Sequence, residues 1–197
     1  RQDKLDTISA TLGIDALSTS ITAAIIGILI VMLIMLVRYR MCGLVADWAL
    51  CVYIILLFLF IAVVPGIQLT LPGIAGIILG IGMAVDANVV IFERVMEEVR
   101  LGRPMIHAVR IGFKNAMSAV LDANVTTIIA AVVLLFYGTG SVQGFATTLL
   151  LGVITSMITA IVVTRFLLTR FVRVFHEPRL FVAVKPAADA AVEGEAK

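Results

Sequence analysis

The sequence predicts an all-α membrane protein, a bundle of five transmembrane helices. Three observations predict it: an excess of apolar residues, five apolar runs each long enough to cross a bilayer, and basic residues gathered on alternate connections. Of the 197 residues, 61% are hydrophobic and 14% are charged, with a mean hydropathy of +1.14. A soluble domain carries about a quarter of its residues charged. Apolar side chains in such excess need lipid as their solvent.

A hydrocarbon core about 30 Å thick takes about 20 apolar residues in a helix. The runs that meet this length are Ser18 to Val37, Leu44 to Val64, Leu71 to Phe92, Ala116 to Phe136 and Phe145 to Leu168. PGIQLTLPG joins the second to the third, where Pro65, Gly66, Pro72 and Gly73 predict a tight turn, and GTGSVQG joins the fourth to the fifth. Neither connection is charged. Arg38 and Arg40 follow the first run, Arg94, Arg100, Arg103, Arg110 and Lys114 separate the third from the fourth, and Arg165, Arg170, Arg173 and Arg179 end or follow the fifth. The positive-inside rule assigns those segments to the cytoplasm, the N terminus to the outside and the C terminus to the inside. The expected organisation is an extracytoplasmic stub at 1–17, a five-helix domain at 18–168 with a cytoplasmic connection near 93–115, and a cytoplasmic tail at 169–197.

RQDKLDTISATLGIDAL at the start is polar and has no apolar stretch of a leader. An outward-facing start of this kind leads us to expect an upstream helix and an extracytoplasmic domain in a longer protein. The closing KPAADAAVEGEAK is small, polar and of mixed charge, the composition of a disordered tail. Cys42 and Cys51 stand apart from any CxxC or histidine pattern and read as small packing residues. No basic block is interleaved with aromatics, so a nucleic-acid partner is not expected. Neither a phosphate-binding loop nor a hydrolytic constellation is present, so we expect no enzyme and no cofactor, and energy from an ion gradient.

The third run carries the densest pattern. Gly73, Gly76, Gly80, Met83 and Ala87 recur at three- and four-residue steps, a small-residue face that lets another helix backbone come close. Asp86 lies on the neighbouring strip, with Gly82, also counted among the helix-packing glycines, one turn before it leaving space beside the carboxylate. An aspartate inside a membrane helix is expensive and by default functional. Its alternative role is that of a neutral carboxyl donating a hydrogen bond between helices.

The tetrapeptide DANV occurs at Asp86–Val89 and again at Asp122–Val125. Asp86 precedes Arg94, and Asp122 follows Lys114, by the same eight residues. If both cations mark the boundary, the carboxylates lie at one depth, about 12 Å in at the helical rise, and could face each other. Two carboxyls in low dielectric cannot both ionise cheaply, which suits proton uptake and release. Asp122 is the weaker of the two, since it could instead cap the start of the fourth helix beside Asn124 and Thr126. In the fifth run Gly144, Thr148, Gly152, Thr155 and Thr159 form a stripe for which helix packing is sufficient.

The strings SATLGIDAL, LTLPGIAGIILGIGMAVDANVVIFERV, DANVTTIIAA and GTGSVQGFATTLLLGVITSMITAIVVTRFLL together span about residues 9 to 170. They resemble the SecD side of the SecD/SecF protein-export family, a branch of the RND superfamily. The resemblance implies the membrane part of a protein translocation auxiliary in the bacterial cell membrane. Such a unit would work with SecF and the SecYEG channel on a preprotein substrate, with protons as the coupling ion. It also implies that Asp86, the aspartate of GMAVDANV, is central to proton coupling and that Asp122 matches the aspartate of DANVTT. Sodium coupling stays open, as do two other readings: a passive scaffold of the translocon, and a fragment of an RND-type small-molecule transporter. The family's first helix, its large extracytoplasmic domain and the SecF half are not within these residues.

Overall fold

In the computed structural model, residues 2–64 and 70–174 are described, with side chains from Ala16 to Arg173 outside 65–69. The turn expected at Pro65 and Gly66 and the closing segment 185–197, expected to be disordered, lie outside the described residues. Helix α1 runs Gln2–Tyr39, α2 Met41–Val63, α3 Leu71–Arg100, α4 Met105–Tyr137, α5 Ser141–Ile158 and α6 Arg165–Val174, with a single wider π-helical stretch, Thr159–Thr164, joining α5 to α6. Five helical spans among the described residues are long and apolar enough to cross a membrane, the fifth being the continuous rod Ser141–Arg173.

The helices outrun the apolar windows at their charged ends. α3 continues through Arg100, turns at Gly102 (φ 81°), and α4 begins at Met105, so the polar connection is mostly helix with a short reversal. Gly102 supplies the positive φ that a residue with a Cβ would resist. At the uncharged end, Thr70 caps α3 by accepting a hydrogen bond from the Gly73 amide at 3.1 Å, and Pro72 sits in the first turn, where its missing N–H costs nothing. Arg40, with φ 48°, makes the reversal between α1 and α2. Three residues after it, Gly43 is so close to the Met35 carbonyl that no Cβ would fit.

α3 is the central element and touches α5, α4, α2 and α1. Apolar attraction between helices is weak in lipid, so close packing has to hold the bundle. Three clusters do so. Toward the charged end, Tyr39, Val45, Phe92, Val95, Phe113 and Leu168 belong to the largest. Leu50, Tyr53, Leu57, Ile77 and Ala84 fill the middle between α2 and α3. Ala131, Leu149 and Val153 close the far side. α4 comes close to α3 at Gly112, where a Cβ would lie 2.7 Å from the Val95 Cα. α1 is scarcely buried within the chain, and Ile25, Leu29, Leu33 and Val37 point outward.

Candidate functional site

Asp86 projects from the middle of α3 toward α4. It lines a cleft of about 110 Å³ with Met83, Ala87 and Val90 on its own helix and Ala119, Ala123 and Asn124 among the residues of α4. The walls are small and mostly apolar. Its carboxylate is exposed and makes no hydrogen bond or ion pair with another described residue. Eight residues separate it from Arg94, so it lies about 12 Å from the charged end along the helix.

Asp122 does not share this cleft. Val120, which is buried, and Asp122 are about 200° apart around α4, so the aspartate is exposed on the other side of the helix. The expected face-to-face carboxyl pair is thereby corrected: Ala123 and Asn124, rather than Asp122, meet the Asp86 strip. Asp122 does not begin a helix either, because α4 starts at Met105.

The two DANV repeats instead share an inward asparagine. Asn88 is 2% exposed and its Oδ1 accepts a hydrogen bond from the Thr164 hydroxyl at 2.7 Å, tying α3 to the end of the π-helical stretch. Asn124 is 7% exposed and its Nδ2 donates to the Val120 carbonyl at 2.7 Å. The sequence reading missed these amides. A spacing of two residues on a helix is about 200°, so an outward Asp in DANV sets the Asn inward, and that phase was the available signal.

The small-residue faces of α3 and α5 meet. Gly73 and Gly76 lie against Thr148, whose hydroxyl is 2.9 Å from the Gly73 carbonyl, across the helix interface, and 3.0 Å from that of Phe145. Gly80 lies against Gly152, the Cβ of an alanine at Gly80 falling 3.4 Å from the Gly152 Cα. Further along α5, the buried Thr155 donates to the Leu151 carbonyl at 2.8 Å and Thr159 to that of Thr155 at 2.9 Å, so both satisfy themselves on their own helix. Gly82 is a correction to the packing set: it is exposed and a Cβ there would meet nothing within 4 Å, because it points about 200° away from Gly80. Gly82 opens instead onto a cleft of about 290 Å³ between α3 and α1, lined by Gly27 and Ile28, while Asp86 faces the separate cleft against α4.

One further polar group sits at this seam. Tyr53 of α2 is fully buried, and its hydroxyl points into the crossing, 2.8 Å from where a Cβ on Gly80 would stand and 3.3 Å from one on Gly152. It has no hydrogen-bond partner among the described residues. At the charged end, Glu93 accepts from the Tyr39 hydroxyl at 3.0 Å and pairs with Arg38 at 3.5 Å, while Glu98 pairs with Arg103 at 2.9 Å and accepts from Asn115 at 3.0 Å. These contacts anchor α1 and the α3–α4 turn to the end of α3.

The family model for the C-terminal part of the protein export membrane proteins SecD and SecF matches residues 1–174. The protein translocase subunit SecD of Acidaminococcus fermentans is 54% identical over 164 residues, covering 82% of this chain and 39% of that protein. SecD of Synechocystis sp. is 48% identical over 179 residues, covering 89% of this chain and 38% of that protein. A crystal structure of SecDF from Thermus, described as a translocon-associated membrane protein, matches with a TM-score of 0.80 at 40% identity, over 83% of this chain and 23% of the other. The chain spans about two fifths of the length of these SecD relatives. With five apolar spans, no strand among the described residues and a family match over nearly its whole length, the chain belongs to the SecD/SecF family of protein-export membrane proteins.

Proposed function

We propose that this chain is the membrane part of a SecD-type translocase subunit, which uses the proton motive force with SecF and the SecYEG channel to promote preprotein export. The observation that carries the reading is Asp86: an intramembrane carboxylate, exposed, unpaired among the described residues, and lining a small cleft against α4. A carboxyl kept inside a membrane helix without a partner of its own needs a partner bundle, water or an ion, and each of these can exchange a proton with it. The strip from Gly82 through Asp86 is where a SecF half would close the site. Asp122, on a separate face, is a second polar site rather than a sharer of the same proton. The concentration of Arg38, Arg94, Arg103, Arg110 and Lys114 at one end supports a cytoplasmic placement of that end, with the N terminus outside and the C terminus inside.

Asp86→Asn tests the reading in the complete subunit assembled with its partners. The amide keeps the volume and hydrogen-bonding capacity but loses the titratable proton. The variant is expected to assemble normally and to lose the export stimulation that an imposed proton gradient gives to vesicles. Full stimulation in a correctly assembled variant would remove Asp86 from the coupling route and favour a passive scaffold. Gradient dependence on sodium alone would keep the site and change the ion.

A further inference from the structure

At the charged end, α4 and α6 enclose a groove that the proposed coupling does not use. Arg110 and Lys114 stand one turn apart on α4, and Arg165 and Arg173 stand two turns apart on α6. They line two adjoining cavities of about 260 and 430 Å³ that share Arg110, Phe113 and Arg165. The floor is apolar: Phe113, Val109 and Val172 are buried beneath the cations. Ile106 at one margin is half exposed, and Phe166, which follows Arg165, more so.

The charge around this groove is unbalanced. Arg38, Arg94 and Arg103 each have a carboxylate within ion-pair distance. Arg110, Lys114, Arg165 and Arg173 have none among the described residues. Four like charges around one space repel one another, and an anion between them relieves that repulsion. The occupant has to be anionic where the guanidinium groups converge and apolar where Phe113 and Val172 form the floor. The groove also lies where α4 and the last rod leave the apolar runs Ala116 to Phe136 and Phe145 to Leu168, where headgroups would stand if those runs span a bilayer.

We infer that this groove binds one anionic phospholipid, its phosphate held by Arg110 and Arg165 and the first part of an acyl chain lying over Phe113. Basic pockets between transmembrane helices are suited to such headgroups. A planar guanidinium is matched to phosphate through paired hydrogen bonds, so the two arginines form the centre of the site, and Lys114 and Arg173 add charge at its edges.

The test uses the complete subunit, with its partners, in phosphatidylcholine vesicles carrying a trace of spin-labelled phosphatidylglycerol or spin-labelled phosphatidylcholine. The immobilised fraction of each label reports binding at the protein surface. The native protein is expected to immobilise phosphatidylglycerol in clear preference to phosphatidylcholine. Arg110→Gln combined with Arg165→Gln is expected to lower that preference by about thirtyfold, the equivalent of about 1 kcal/mol for each of the two basic residues at a membrane surface. Arg110→Lys with Arg165→Lys keeps both charges, and must retain most of the preference in protein that elutes as the native complex. Equal immobilisation of the two labels by native protein overturns the inference. So does a glutamine variant that keeps the preference. Loss of the preference when millimolar inorganic phosphate is added would assign the groove to a soluble anion and overturn the lipid.

Discussion

Tyr53 is the residue whose chemistry fits its surroundings least. Its ring fills the space between α2 and the α3–α5 crossing, but its buried hydroxyl has no partner among the described residues. A buried donor without an acceptor costs about 1–3 kcal/mol, and removing the group recovers that cost. Tyr53→Phe keeps the ring and is expected to raise stability by about 1 kcal/mol, read as a later unfolding midpoint in detergent. A loss of that size would reveal an acceptor for the hydroxyl. Asp86 shows the opposite economy, with a carboxylate left open to whatever lies outside the chain. The sequence showed the Asp86 carboxylate and the glycine beside it. It did not show Tyr53, because a tyrosine in an apolar run gives no sign of which way its hydroxyl points until the helices are packed.

Among the elements, α3 and α5 depend most on the size of single residues. Gly80→Leu drives a side chain into the Tyr53 hydroxyl and the Gly152 backbone. Overpacking of a tight contact costs about 1–3 kcal/mol or more, so this variant is expected to lose stability and assemble poorly. At Gly82, two residues on, a Cβ meets nothing within 4 Å and faces an open cleft beside α1, so Gly82→Leu is expected to change the stability of the isolated chain by less than about 0.5 kcal/mol. Comparing the two variants by unfolding in detergent checks the orientation of the helix, and equal losses would contradict it. The seam was legible from sequence because glycines at three- and four-residue steps have few other uses in a membrane helix. Span positions were legible because hydropathy follows the bilayer. Helix ends were not: α3 goes on to Arg100 and α4 starts at Met105, since backbone hydrogen bonding continues past the apolar run where water can solvate the side chains. The relation between the two aspartates also escaped the sequence. Equal depth was readable from the spacing to Arg94 and Lys114, but the rotation of α4 is set by the burial of Val120 and Asn124 against its neighbours.

For the whole molecule, the alternation of charged and uncharged ends predicts a vectorial arrangement. With Cys42 and Cys51 replaced by alanine, a cysteine at Thr139 in the uncharged α4–α5 connection should react with a membrane-impermeant maleimide in intact cells. One at Arg103 should react only after permeabilisation, and the reverse pattern would invert the proposed topology. The bundle itself divides into a dense seam around α3 and α5 and a loosely attached α1, so the firm part of the chain is the part that carries Asp86. The wider stretch at Thr159–Thr164 acts on this division like a vernier. A π-helical turn amounts to one residue inserted without a break in the rod, and one residue is about 100° of rotation and 1.5 Å of advance. The inward face that α5 presents through Gly152 and Thr155 is thus carried on to Thr164, Leu168 and Val172, which are buried in turn. With an ordinary α-helical pitch there, the same sequence would swing Leu168 away from the interior and carry Arg165 and Arg173 off the face of α4. The phase of a single turn therefore sets both the Asn88–Thr164 tie and the meeting of four cations beyond it.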